Sequence, residues 1–355
     1  MTSAAASLLM LAAVGQVAVV QAGPEVAVLG PGGLYDLDLE ATAKALYADH
    51  PDLFDVLVLW PDFRTTADGG ALYQPVANST AGINFDQGGK YPQDYDVAAD
   101  YGSTALQGVV VMGSLDGLSD AQALDVVAEE VAHQYAAMVS FIPATGGPGH
   151  TGLLGKAGTH WSFFTDTGGS VLGGNRWEAD GAEGGRRWVT GAPGGAYGPF
   201  DLYLMGLIAA DEVPPMRWMP SPTIVSPSLD PRGRSWEAAS PSTAGVVVEG
   251  DWEEVSLAQV VAAEGERVPE AGRSSADFRQ AWAIVVPAGE PPTAARREQV
   301  DRIYAGWPAH FDGLTGGLGR AIVTLDGSVP GEGDEGCGCG VGRPARWPLF
   351  WSLRR

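Results

Sequence analysis

Cysteine is almost absent from this 355-residue chain; the two that occur, Cys337 and Cys339, lie one residue apart near the end. A bond between them would be strained, so the globular part has neither a disulfide framework nor a cysteine metal site. Lysine is nearly as scarce. Only Lys44, Lys90 and Lys156 occur, and 43 acidic against 21 basic residues leave a formal net charge of −22. Such a surface repels phosphate backbones and argues against general nucleic-acid binding. Beyond residue 22 no apolar run approaches the roughly 18 residues of a membrane helix, so no integral span is expected. There are five histidines, His50, His133, His150, His160 and His310. Any metal must be held by these with Asp or Glu. Gly30-Pro31-Gly32-Gly33 has neither a Walker lysine nor a dinucleotide fingerprint. No serine sits in a nucleophile elbow.

Hydrophobic residues make up 45% of the chain, which is enough for a real core. The 50 glycines and 25 prolines predict a loop-rich fold. Residues 1–22 read as a signal peptide: Ser7–Ala22 is apolar, and Val20-Gln21-Ala22 offers a small-residue cleavage site. The alternative is a buried element of the fold. Continuous apolar runs at 25–29, 55–60, 106–113 and 281–286 predict strands, as does 320–325. Helical patterns occupy 39–49, 200–208 and 294–307, and structure of unassigned type resumes at 257–263. Residues 219–243, rich in Pro and Ser, read as a long surface loop. Asn78-Ser79-Thr80 fits a glycosylation sequon.

The clearest helix starts at Ser119, where Gln122 completes a capping box. Leu124, Val127, Val131, Tyr135 and Met138 then recur on one face as far as Pro143. This helix carries Glu129-Glu130-Val131-Ala132-His133. Glu129 and His133, four apart, project from the same face. The spacing is that of the zinc-peptidase string H-E-x-x-H, with Glu129 in the place of the first histidine. A carboxylate can ligate zinc, so the replacement permits a site. A solvated charged face is the alternative. Between Val131 and Asp166 there is no Asp or Glu, which leaves His150 and His160 as candidates for a third ligand. His160 opens a dense segment of aromatics, Asp, Ser and Asn between glycines, either a polar-lined site or an aromatic core with turns.

Several of these pieces occur in an order that resembles a group of secreted zinc metallopeptidases of myxobacteria and related bacteria. They are Leu57–Phe63, Leu106–Gly113, Glu129–Gln134, Leu153–Lys156, His160–Phe164 and Phe200–Leu207, spanning most of 25–326. The resemblance implies a zincin-like fold. It also implies Glu130 as the catalytic glutamate, His133 as a zinc ligand, and His160 as the third ligand. The group carries histidine where this chain has Glu129. The segment around Asp201 and Met205 has three readings: Asp201 as a metal-binding aspartate, Met205 and its neighbours as an apolar floor beneath the metal, or an ordinary buried helix. The tail, with Cys337, Cys339, Arg354 and Arg355, resembles a myxobacterial C-terminal sorting signal in degraded form.

The expectation is therefore an α+β, loop-rich, zincin-like metallopeptidase domain over residues 23–326, with a central active-site helix. It follows a signal peptide at 1–22 and precedes a flexible Gly/acidic tail at 327–355. Zinc is held by Glu129, His133 and His160, Glu130 is the base, and the partner is a protein or peptide substrate. The protein is secreted or at the cell surface. Calcium is permitted by the Asp/Gly-rich loops. The rival expectation is an inactive secreted module that keeps the peptidase fold. His160 is preferred to His150 because Trp161, Phe163 and Phe164 can clamp it, and Asp166 is expected as its hydrogen-bond partner.

Overall fold

The computed structural model describes residues 17–23, 27–29, 35–65, 70–83, 95–113, 117–181 and 185–329. The expected tail lies, from residue 330, outside the described residues, as does the segment 1–16. Helices and sheets are mixed, in keeping with the α+β expectation. The principal elements are β1 (Ala18–Ala22), α1 (Leu39–Tyr47), β2 (Val56–Pro61), β3 (Ala71–Pro75), β4 (Gly108–Met112), α2 (Asp120–Ala132), β5 (Trp161–Asp166), β6 (Asp277–Pro287), α3 (Ala294–Leu314) and β7 (Arg320–Ile322).

The main sheet has the order β1-β6-β2-β4-β3, and β7 shares with β1 one edge of the long β6. All its pairings are parallel except β3 with β4. Its strands are unbroken apolar runs because both faces are covered. Val56, Val58 and Trp60 of β2 face a core shared with α2 and α3, whereas Leu57 and Leu59 face one shared with α1. The strands expected at 55–60, 106–113 and 281–286 are the centre of this sheet.

Two expectations near its edges meet a different arrangement. Ala18–Ala22, the end of the stretch read as a signal peptide, pairs in register with Ala283–Pro287. Val17, Ala18 and Val20 are buried, so the described fold begins before Gly23. A signal core and a buried strand share the same apolar composition, which is why the sequence does not separate them. The strand β3 was not expected at all. It is short, half-buried and set in a Gly/Asp-rich stretch. Its Tyr73 crosses Gly108 so closely that a Cβ there would run into the Tyr73 ring and hydroxyl, which would have to shift.

The helix α2 has the expected capping box of Ser119 and Gln122. It ends at Ala132, before Tyr135 and Met138 of the apolar pattern, and His133 is its C-cap. Tyr135 and Met138 belong to the following turns, whose burial continues the spacing without continuing the helix. The second helix, α3, lies along α2. Gly306 meets Leu124 there, Arg302 pairs with Asp120 at 2.8 Å, and His310 pairs with Asp125 at 3.1 Å.

Two four-stranded sheets of short strands form a second layer. One holds β5 with 173–175, 216–218 and 253–255; the other holds 177–179, 187–190, 223–226 and 247–249. Phe163, Phe164, Trp177, Met219, Trp236, Val246 and Val248 fill the core between them. The segment 219–243 is thus not simply a surface loop: Thr223–Ser226 is a strand and Trp236 is buried. Its Pro and Ser content hides a strand only four residues long. Asn78 of the sequon is buried, with its amide donating to the Thr80 carbonyl. Among the described residues no helix is long and apolar enough to cross a membrane.

Candidate metal centre

The end of α2 meets the turn before β5. Glu129 comes from the last full turn of α2, His133 from its C-cap and His160 from the residue preceding β5. One donor atom of each lies within 4.8 Å of the others. Among the described residues this is the only such group of three or more His, Cys, Asp or Glu. Three of the four candidate site residues therefore converge. The fourth, Glu130, lines the same cleft as His133 and His160.

Each side chain is held by a different means. The Tyr197 hydroxyl donates to the Ala128 carbonyl at 3.0 Å and ties α2 in place beside Glu129. His160 is fixed through its neighbour: the Trp161 indole donates to Asp201 Oδ1 at 2.7 Å. Asp201 is fully buried and also accepts from the Ser170 hydroxyl at 2.6 Å and the Gly198 amide at 2.7 Å. Burial pushes its carboxyl up, and these three bonds oppose the shift. Asp201 thus anchors the residue beside a candidate ligand and does not belong to the donor group. Asp166 is not the partner of His160. It lies at the far end of β5 and pairs with Arg217, because the rise of about 3.3 Å per residue along the strand carries it away. His150 is exposed, accepts from the Gly152 amide at 2.9 Å, and packs against Phe141 and Trp218.

The His160 Nδ1 lies 3.0 Å from Thr159 Oγ1 and 3.2 Å from the Lys156 carbonyl, and Nε2 lies 2.8 Å from Glu129 Oε1. A carbonyl only accepts, so it calls for N–H at Nδ1. The Nε2 lone pair of a neutral ring then faces a carboxylate oxygen, and a proton or metal cation must lie between them. The other tautomer takes a bond from the Thr159 hydroxyl at Nδ1 and donates from Nε2 to Glu129.

The electrostatics set the three groups apart. Burial pushes Glu129 up, but the hydrogen bond from His160 and the charges of His160, His133 and Lys156 outweigh it and leave its carboxyl lowered. Burial first, then the neighbouring His160, brings His133 down to about 4. Its ring is therefore neutral at pH 7, with a lone pair to offer, and its buried Nδ1 has no hydrogen-bond partner. Burial, reinforced by the Glu129 charge, raises Glu130 to about 7. The donor set of two imidazoles and one carboxylate, with an orphaned buried ring nitrogen, fits a borderline metal cation.

The cleft has a volume of about 210 Å³. Ala71, Leu72, Tyr73 and Pro75 of β3 form one wall, and Lys156, Thr159 and His160 another. No family model, curated protein or solved structure matches the chain.

Proposed function

We propose that this chain is a secreted, zincin-like, zinc-dependent peptidase. The observation that carries the reading is the convergence of Glu129, His133 and His160, the two histidines lining a cleft that Glu130 also lines. Glu129, His133 and His160 would hold the zinc, which when bound supplies Lewis-acid polarisation of a carbonyl and a more acidic water. Glu130 would take a proton from the attacking water onto its carboxylate and pass it to the leaving amine. The Tyr73 backbone hydrogen-bonds the Glu130 carboxylate and favours its charged form against burial. The outer edge of β3 pairs with no strand among the described residues. An extended peptide can lie along that edge, since unpaired strand groups bond a further strand.

A second reading rests on the 2.8 Å Glu129–His160 hydrogen bond. It satisfies two of the three donors without an ion, as a non-catalytic module that keeps the fold would. Metal analysis of the purified protein together with casein hydrolysis separates the two. About one zinc per chain and chelator-sensitive cleavage support the peptidase; a zinc-free, inert protein supports the module.

A further inference from the structure

The cleft contains one cation that the proposed chemistry does not use. Lys156 is the only Lys or Arg among the lining residues, in a chain with three lysines and a net charge of −22. It makes no ion pair among the described residues, although Glu129 and Glu130 both feel its charge. Glu129 is occupied by His160, and Glu130 is bonded to the Tyr73 backbone. Lys156 is exposed at the cleft lining and has no carboxylate partner of its own among the described residues.

Its position is built, not incidental. Lys156 opens a single tight turn in which Gly158 donates to the Gly155 carbonyl at 3.1 Å and Thr159 to the Lys156 carbonyl at 3.1 Å. Ala157 is the one described non-glycine residue with positive φ, at 56°. A strained position of this kind persists only where surrounding contacts over-determine it. Those contacts are to the site itself. Gly155 donates to the His160 carbonyl at 2.8 Å, and the Lys156 carbonyl lies 3.2 Å from His160 Nδ1. The lysine is thereby carried on the same turn that carries a candidate metal ligand. Across the cleft stand Leu72 and Tyr73, an apolar wall on an unpaired strand edge.

We propose that Lys156 is a specificity-determining residue that binds a substrate carboxylate. The substrate is then a peptide with an acidic group close to the bond that is cut. This deepens, and rests on, the peptidase reading. The rest of the surface repels acidic peptides, so one unpaired ammonium beside the reacting centre selects by position as well as by charge. The carboxylate has two sources, an internal Asp or Glu side chain or a free peptide C-terminus.

The test is binding to the intact protein after metal removal, so it does not depend on turnover. The probes are Ac-Ala-Glu-Ala-Ala-NH2, its Gln counterpart, and Ac-Ala-Gln-Ala-Ala with a free C-terminus. The inference expects one carboxylate-bearing peptide to bind about 10-fold more tightly than the neutral one. It also expects Lys156→Met to collapse that ratio, Lys156→Glu to invert it, and Lys156→Arg to restore most of it. The arm that retains preference identifies the source. Equal binding of all three peptides, or a ratio unchanged in Lys156→Met, overturns the inference and leaves the zinc reading standing. Lys156-dependent selection by a protein that neither holds zinc nor cleaves casein keeps the carboxylate site and overturns the peptidase.

Discussion

His160 Nε2 lies 2.8 Å from Glu129 Oε1, although 31 residues separate them in the chain. This contact joins the helix α2 to the turn before β5 and makes Glu129 part of the donor group instead of a solvated residue. Glu129→His is therefore expected to strengthen zinc binding, since a third imidazole replaces the carboxylate and frees His160. Titration against a competing chelator reads it. An affinity equal to wild type would remove Glu129 from the donor set.

Glu130→Gln is expected to abolish hydrolysis while zinc content and thermal unfolding stay as in wild type. General-base removal costs about 10²–10⁴ in rate. A mutant that cleaves casein at the wild-type rate shows that another group takes the proton.

The two histidines of the loop region make opposite predictions. His160→Ala is expected to lose zinc. His150→Ala is expected to keep it, because His150 packs against Phe141 and Trp218 outside the group. Metal content after gel filtration decides the matter; zinc retained in the first variant and lost in the second would reverse the assignment.

Asp201 holds His160 only at one remove. Asp201→Ala strips acceptors from the Trp161 indole, the Ser170 hydroxyl and the Gly198 amide, all part of a buried network. A loss of roughly 3 kcal/mol of stability is expected, along with weaker zinc binding. Denaturant unfolding and the same chelator titration measure the two effects. A variant as stable as wild type would mean that the network contributes little.

Burial pushes Asp55 up to about 6, against bonds and charge from Arg279. This is above its unfolded value of about 3.9, so between these two values the folded protein binds more protons than the unfolded one. The Asp55 contribution is thus complete below about pH 4 and is lost as pH rises through about 6. Asp55 is only partly buried, and about 1–3 kcal/mol is at stake after allowance for screening. Asp55→Asn should therefore gain stability over wild type at pH 7.5 relative to pH 4.5. Parallel stability curves for the two proteins would count against it.

The local features of this protein were legible in the sequence because local physics makes them. Strands β2, β4 and β6 are apolar on both faces, so burial alone marks them. The start of α2 is written by Ser119 and Gln122, and the shared face of Glu129 and His133 by helical spacing. What depends on distant partners was not legible. The choice of His160 over His150 became definite as geometry only when β5 and the buried Asp201 set its place. The expected Asp166 partner went to Arg217, a residue 51 positions away. The strand β3, the cleft wall, has too few apolar residues to announce itself; its pairing with β4 and the crossing of Tyr73 over Gly108 make it a strand. Ala18–Ala22 reads in the sequence as the end of a signal peptide, with a buried element of the fold as the alternative. Composition determines that such a segment leaves water, and only the edge of β6 decides what it leaves water for.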